Sequence, residues 1–372
     1  MKPGKSLGAN LALAGASLLA TLVVFALGYE VVANVRYYRW RASFDNNGWL
    51  GKLTVRSPNP VLMWEYRPYG EAGGLRTNRH GFRDVDYRTP AKPAGSRRIA
   101  FIGDSITLGM GVVPRDTFVS RVGERAAEAG LPVQALNFAF DGYNALQIRE
   151  LLTAKVLAFE PDRVVYVLCL NDFDFTDSSG HKIRYFRRPF SFFLQDVERQ
   201  RRNLLRIEFH RYHFGRHHEE VFRALVEMRD VLADRRADLL LAVAPVFPDK
   251  PGDTEYFAHY PLRDLHEAIL HFAAEHGIAA HDLAEDFRRQ PPPPERYFLD
   301  LWHLSPEGHR VVADGLGALL LRKWVPPRRQ PIGRLYKPPD RTRAKFFVPN
   351  PPQQVSAAAG LGTGFTRARC AS

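Results

Sequence analysis

The chain has 372 residues, of which 45% are apolar and 25% are charged, and these values are close to the averages of soluble globular proteins. This composition excludes a polytopic membrane protein, a collagen-like chain and a wholly disordered chain. The two cysteines, Cys169 and Cys370, are too few for a disulfide framework or a cysteine-based zinc site.

The net charge of +12 is concentrated at one end of the chain. Residues 322–372 hold eleven Lys and Arg against the single acid Asp340, so this segment carries +10 and the rest only +2. A nearly neutral body does not favour nucleic-acid binding. Residues 325–372 are rich in Pro and Arg and lack apolar periodicity, which predicts a basic, disordered tail.

The N-terminal segment is apolar enough to cross a membrane. No charged residue occurs from Ser6 to Tyr29, and 24 helical residues exceed the hydrocarbon thickness of about 30 Å. Residues 1–35 are therefore predicted to form a single-pass membrane anchor. A cleaved signal peptide with the site Ala26-Leu27-Gly28 is the alternative.

The charges that flank the span do not by themselves determine on which side of the membrane the body lies. Basic residues flank the span on both sides, with Lys2 and Lys5 before it and Arg36, Arg39 and Arg41 after it. Because a long domain that follows a span is translocated largely regardless of charge, we expect the body outside the cytoplasm, in the periplasm or the extracellular space.

After a loop-rich lead-in over residues 36–97, short apolar runs alternate with amphipathic stretches. Strands are predicted at 97–103, 135–139, 163–170, 239–246 and 278–283, with helices near 117–129, 145–159, 219–235, 262–275 and 305–323. This alternation predicts an α/β domain over residues 98–324 with a parallel sheet covered on both faces.

One interruption of this pattern, residues 173–218, is too long for an ordinary connection. It carries several aromatic residues and an Arg/His-rich stretch. It is either a lid or acceptor-binding insertion over the site, or a structural excursion that packs its aromatic side chains on the body.

Four loops that follow predicted elements carry chemically useful residues. Ser105 stands where the first strand turns into a helix, a position that exposes a nucleophile at the edge of the sheet. Asp300 and His303 share a loop before the last helix, and their spacing allows the carboxylate to orient the imidazole that activates the serine. Gly142 and Asn171 follow the second and third strands, where a backbone N–H and a side-chain amide can stabilise an oxyanion.

In this order, the motifs resemble those of the SGNH, or GDSL-type, hydrolases. The resemblance is carried by Gly103-Asp104-Ser105, Gly142, Asn171-Asp172, Asp300 and His303. It implies a flavodoxin-like three-layer α/β/α fold, with Ser105 as nucleophile, His303 as base and Asp300 as its orienting acid. It also implies an oxyanion hole formed by the Ser105 N–H, Gly142 and Asn171, and no metal or cofactor. The segment from Cys169 to Asp172 departs from the family pattern, because Cys169 occupies the position at which the family usually has glycine.

Several other motifs have weaker interpretations. The run Gly4 to Gly8 matches G-x-S-x-G, but no strand precedes it. His266 and His271 are five positions apart and do not share a helix face as the histidines of H-E-x-x-H do. The cluster of His210, His213, His217 and His218 is interpreted as a solvated or interfacial His/Arg group rather than a metal site.

The sequence thus predicts a membrane-anchored serine esterase that hydrolyses O-acyl esters through an acyl-serine intermediate. Its substrate would be a small-molecule or glycan ester, the latter on an envelope or secreted glycan. An O-acyltransferase with the same three residues and a non-catalytic glycan-binding envelope factor are the alternatives. The sequence leaves the acyl group, the alcohol and the oligomeric state open.

Overall fold

The computed structural model describes residues 4–47, 49–87, 90–175, 186–205, 208–249 and 252–322. The predicted basic tail, 325–372, and residues 176–185 of the insertion lie outside these ranges.

The N-terminal helix α1 (Gly4–Asn47) is long and apolar. Its most apolar window has a mean hydropathy of 2.3, and none of that window is buried in the protein. The helix continues past the predicted anchor boundary at residue 35 into the lead-in. Length and composition are therefore those of a membrane anchor, and an N-terminal signal sequence has the same properties.

The remainder of the lead-in forms small elements that pack on the body. They are helix α2 (Trp49–Leu53) and two antiparallel hairpins, β1 (Thr54–Arg56) with β2 (Trp64–Tyr66) and β3 (Glu71–Ala72) with β4 (Leu75–Arg76). Side chains such as Trp64 and Phe82 are fully buried in the same core as the central sheet.

The central sheet has five parallel strands in the order β6-β5-β7-β8-β9. They are β5 (Arg97–Gly103), β6 (Val133–Asn137), β7 (Arg163–Leu168), β8 (Asp238–Val243) and β9 (Ala279–Asp282). All six residues of β7 and six of the seven in β5 are buried, as expected when helices cover both faces of a sheet. The predicted parallel α/β fold is confirmed.

Two groups of helices cover the sheet. One group comprises α4 (Phe118–Glu128), α9 (Leu283–Arg288) and α10 (Pro306–Leu321), and both α4 and α9 contact α10. The other comprises α5 (Ala145–Ala154), α7 (Phe209–Ala233) and α8 (Arg263–Glu275). The short helix α3 (Ser105–Leu108) follows β5, and α6 (Phe192–Leu204) belongs to the insertion.

Helix α7 begins ten residues before the predicted start near 219. The Glu208 side chain accepts a hydrogen bond from the Arg211 backbone N–H, which caps the early start. The Arg/His-rich stretch 209–218 hides the helical apolar period, because its buried positions are occupied by histidines such as His210 and His213.

Candidate active site

Ser105 is positioned by a sharp turn at the carboxyl end of strand β5. The preceding Asp104 caps helix α3, since its Oδ1 accepts a hydrogen bond from the Ile106 N–H at 2.9 Å. Gly103 is required here, because a Cβ on it would lie 2.3 Å from Oγ1 of Thr107. The turn therefore presents Ser105 at the edge of the sheet where ligands of parallel α/β folds bind.

The loop before α10 brings His303 to this serine. Nε2 of His303 lies 2.9 Å from Oγ of Ser105, and Nδ1 lies 2.7 Å from Oδ2 of Asp300. Since Nδ1 faces a carboxylate, it carries the proton, and Nε2 is left to accept the serine proton. The loop ends at Ser305, whose hydroxyl accepts from the Gly308 N–H and caps α10.

Asp300 is held in its ionised form. Partial burial opposes the charge, but hydrogen bonds from the His303 side chain and from the backbone N–H groups of Trp302 and His303 outweigh it and lower the pKa of Asp300. The side chains of Asp300 and His303 keep 54% and 22% of their surface exposed. The Asp300 side chain is thus exposed to solvent, and that of His303 is half-buried.

Asn171 lies in the 3-10 turn Leu170–Phe173 that follows β7. Its Nδ2 donates to Oδ2 of Asp104 at 3.0 Å, and its buried Oδ1 has no hydrogen-bond partner among the described residues. Gly142 follows β6 and has a φ of 77°, a left-handed conformation that favours glycine. Because β6 and β7 flank β5 in the sheet, these two loops lie on either side of the Ser105 turn.

Beneath Asn171 lies a set of buried polar groups. Oδ2 of Asp172 accepts hydrogen bonds from the Tyr166 hydroxyl at 2.8 Å and from the Cys169 N–H at 3.1 Å. Burial raises the pKa of Asp172 well above its usual value, and nearby Asp104 adds to this effect. Burial likewise raises the pKa of Asp104 and, strongly, that of the Cys169 thiol. Cys169 is fully buried directly after β7, as expected of a strand-end residue.

The lead-in contributes two residues that the sequence did not mark as functional. The buried guanidinium of Arg83 donates to the carbonyl oxygens of Leu108 at 2.7 Å, Gly109 at 2.6 Å and Val112. Asp84 accepts a hydrogen bond from the Asn137 N–H at the end of β6. Both residues lie in the segment 77–84, which these contacts dock onto the sheet domain. Arg83 therefore ties the carboxyl end of α3, the helix that begins at Ser105, to the lead-in.

The histidine cluster is partly buried: His210 and His213 are buried, whereas His217 and His218 are half-buried. His213 is fully buried with Nδ1 at 3.4 Å from Oδ1 of Asp174, and burial lowers its pKa to about 4. His210 packs its ring 4.9 Å from that of Trp302, the neighbour of His303. Within the described ranges, no group of three or more His, Cys, Asp or Glu side chains is arranged to hold a metal ion.

The other histidine pair noted in the sequence is also structural. His266 is buried, with Nδ1 2.9 Å from Oδ1 of Asp282 and Nε2 3.2 Å from the Tyr260 hydroxyl. Its role is to join helix α8 to strand β9.

Comparisons with known proteins identify similar sequences and structures. A family model described as GDSL-like lipase/acylhydrolase matches residues 101–311, a range that contains all five predicted site residues. No curated protein matches the sequence.

Solved structures with similar folds include two acetyl xylan esterases and one α/β hydrolase. The acetyl xylan esterase AlAXEase is 16% identical over 60% of this chain and 99% of its own, with a TM-score of 0.41. A catalytic mutant of the acetylxylan esterase Axe2 from Geobacillus stearothermophilus is 18% identical over 64% of this chain and 100% of its own, with a TM-score of 0.41. LAE5, an α/β hydrolase from the metagenome of Lake Arreo, is 19% identical over 60% of this chain and 94% of its own, with a TM-score of 0.42.

Proposed function

The chain belongs to the GDSL-like lipase/acylhydrolase family, as its motifs predicted, and we propose that it is a membrane-anchored serine esterase with Ser105, His303 and Asp300 as its catalytic residues. Membership of this family implies ester hydrolysis. We propose, in addition, the roles of the three residues, the membrane anchor and the substrate. One observation carries it. A continuous hydrogen-bonded path joins Oγ of Ser105 to His303 at 2.9 Å and His303 to Asp300 at 2.7 Å.

In the first half of the reaction, Oγ of Ser105 attacks the ester carbonyl while Nε2 of His303 takes the serine proton. Asp300 stabilises the imidazolium that forms. The tetrahedral intermediate collapses when His303 passes this proton to the departing alcohol, which leaves an acyl-Ser105 ester. In the second half, His303 takes a proton from water, the resulting hydroxide attacks the acyl group, and the carboxylic acid leaves as Ser105 regains its proton.

The negative charge on the tetrahedral oxygen is assigned to three donors, the Ser105 N–H, the Gly142 N–H and Nδ2 of Asn171. A primary amide has two N–H donors, so Asn171 can keep its bond to Asp104 and direct the second hydrogen to the oxyanion. Fixed donors of this kind stabilise the transition state more than the ground state.

The substrate is proposed to be an O-acyl ester on an envelope or secreted glycan. The apolar helix α1 supports this, because an uncleaved anchor would keep the body at a membrane, with the catalytic domain outside the cytoplasm. The exposed Asp300–His303 loop also suits a bulky substrate.

An O-acyltransferase is the second candidate. The insertion reaches the site, since His210 of α7 packs on Trp302 beside His303. This contact between α7 and the Trp302 loop forms a structured rim beside Ser105 and His303, which we call the active-site rim. Such a rim supports an acceptor site from which a sugar hydroxyl, instead of water, would attack the acyl-serine. Product analysis with and without an added acceptor sugar separates the two reactions.

The test of the proposal uses the full chain in detergent with p-nitrophenyl acetate as substrate. Ser105→Ala and His303→Ala are expected to lower kcat by several powers of ten. The matched control His259→Ala changes an exposed histidine and should keep the parent's rate. If the folded parent neither turns over the ester nor is labelled at serine by a fluorophosphonate, the esterase proposal is wrong and a binding factor takes its place.

A further inference from the structure

Helix α6 of the insertion exposes an apolar stripe. Leu194, Val197 and Leu204 are exposed by 58%, 47% and 84%, and their spacing of three and seven residues places them on one face of the helix. Phe190, just before the helix, is 94% exposed. A row of exposed large apolar side chains on one helix is typical of a surface that binds a membrane or another protein.

The same helix is packed against α1. The Phe193 ring lies 6.2 Å from that of Phe25 and 5.7 Å from that of Tyr29. The carboxylate of Glu30 accepts hydrogen bonds from the Ser191 hydroxyl and from the Phe193 N–H, the latter at 2.9 Å. The start of α6 is therefore fixed to one short portion of α1.

This portion of α1 determines the depth of α6 relative to a bilayer. The uncharged stretch of α1 ends at Tyr29, and Glu30 is the first charged residue after it, so the boundary of the hydrocarbon core falls near these residues. Phe193 contacts Phe25, one turn inside that boundary. In a chain anchored by α1, the first turn of α6, with Phe190 and Leu194 exposed beside it, would therefore lie at the level of the lipid headgroups.

The charges around α6 suit the same surface. Within residues 187–202, five arginines stand against two acids, Asp196 and Glu198. Both acids are paired with arginines of the helix, Asp196 with Arg199 and Glu198 with Arg201. An amphipathic helix with an excess of Arg beside its apolar stripe is typical of binding to a membrane surface that contains anionic lipids.

Helix α6 also connects the anchor to the active-site rim. The Tyr212 hydroxyl of α7 donates to Glu198 of α6 at 2.6 Å, and two residues earlier His210 packs on Trp302. The contacts therefore run from α1 through α6 and α7 to the loop that holds His303.

We propose that α6 lies on the lipid bilayer as an interfacial helix, with Leu194, Val197 and Leu204 in contact with acyl chains, and that it holds the active-site rim at the membrane surface. The proposal rests on the membrane anchoring that is part of the proposed function. It adds a second lipid contact and places the ester-hydrolysing site next to the bilayer.

The test uses the full chain in vesicles of phosphatidylcholine and phosphatidylglycerol. In a Cys370→Ser background, Leu194→Cys is labelled with an environment-sensitive fluorophore, while Cys169 is fully buried and stays unlabelled in the native chain. Asp234→Cys, at the far, exposed end of α7, is the matched control. We expect the probe at 194 to shift to shorter wavelength and to lose most of its emission when the lipids carry brominated acyl chains, whereas the probe at 234 changes little.

Equal behaviour of the two probes would overturn the proposal. A blue shift at 194 without quenching by brominated lipid would show that protein, such as a second copy of the chain, covers the stripe. Failure of the chain to sediment with vesicles would overturn the anchoring and this proposal together. Hydrolysis of p-nitrophenyl acetate in the same samples reports the esterase chemistry separately, so its loss leaves the quenching result intact.

Discussion

Asn171, the candidate oxyanion donor, is held in place by buried polar groups. Its amide is bonded to Asp104, a buried carboxyl whose pKa is raised mainly by desolvation. Asp172 beside it is bonded to Tyr166 and to the Cys169 backbone. The position of the amide is therefore set by buried polar contacts from two strand ends, although Cys169 replaces the glycine that the resemblance leads one to expect.

Asn171→Ala should lower kcat by about 10²–10³-fold with little change in KM, because an oxyanion donor acts mainly in the transition state. Steady-state kinetics on p-nitrophenyl acetate measures this, with the exposed Asn203→Ala as the control. An unchanged kcat would mean that the backbone N–H groups of Ser105 and Gly142 stabilise the oxyanion without the amide.

At the scale of elements, helix α3, which begins at Ser105, is held in place from outside the sheet. Helix α3 has only four residues, too few to be stable without tertiary contacts. Arg83 supplies such contacts by donating to three carbonyl oxygens at and beyond the end of α3. Burial lowers the pKa of Arg83, and its carbonyl contacts provide the acceptors that the buried cation requires.

Arg83→Met should lower the free energy of unfolding by about 3 kcal/mol, since buried carbonyl oxygens lose a charged donor, and should lower kcat by loosening the turn that holds Ser105. Denaturant unfolding and steady-state kinetics measure the two effects. Arg79→Met removes a more exposed arginine from the same segment, one paired with Asp86, and should leave stability nearly unchanged, because ion pairs at the surface contribute little. If both variants behave alike, Arg83 does not support the turn.

Across the whole molecule, buried neutral histidines make stability depend on pH. His309 of α10 is fully buried, and its Nδ1 accepts a hydrogen bond from the Phe118 N–H of α4 at 3.2 Å. Burial, with smaller effects from Arg121, Arg83 and His303, lowers the pKa of His309 to about 3. A lowered pKa means that the unfolded chain binds the proton first, so this stability is present above the unfolded pKa of about 6.5 and is lost as pH falls towards the folded value.

His309→Asn, whose Oδ1 can replace Nδ1 as acceptor, should therefore reduce the pH dependence. Between pH 7 and pH 5 the parent should lose about 2 kcal/mol more of its free energy of unfolding than the variant, at about 1.4 kcal/mol per pH unit below 6.5. Urea unfolding of the full chain in detergent at several pH values measures the difference. Identical slopes for parent and variant would contradict this assignment, and His259→Asn, at an exposed position, should keep the parent's slope.

Much of this protein is determined by signals that are local in the sequence. Each of these signals spans only a few residues, so the spacing in the sequence determines the local geometry. They are the buried runs of β5 and β7, the cap at Ser305 and the pair Asp300 and His303. The apolar stretch of α1 is likewise a local property. For these reasons the parallel α/β fold and the family were predictable, and the roles of the candidate site residues stay a prediction.

Only the tertiary structure decided the contacts between distant segments. Ser105 and His303 are 198 positions apart, and their distance of 2.9 Å depends on the packed sheet and on the loop before α10. Arg83 and Arg79 look equivalent in the sequence, yet one is buried against α3 and the other is more exposed, because burial depends on what the rest of the chain places there. The exposed stripe on α6 is a similar case, because only the tertiary contacts with Phe25, Tyr29 and Glu30 place it beside the apolar helix α1.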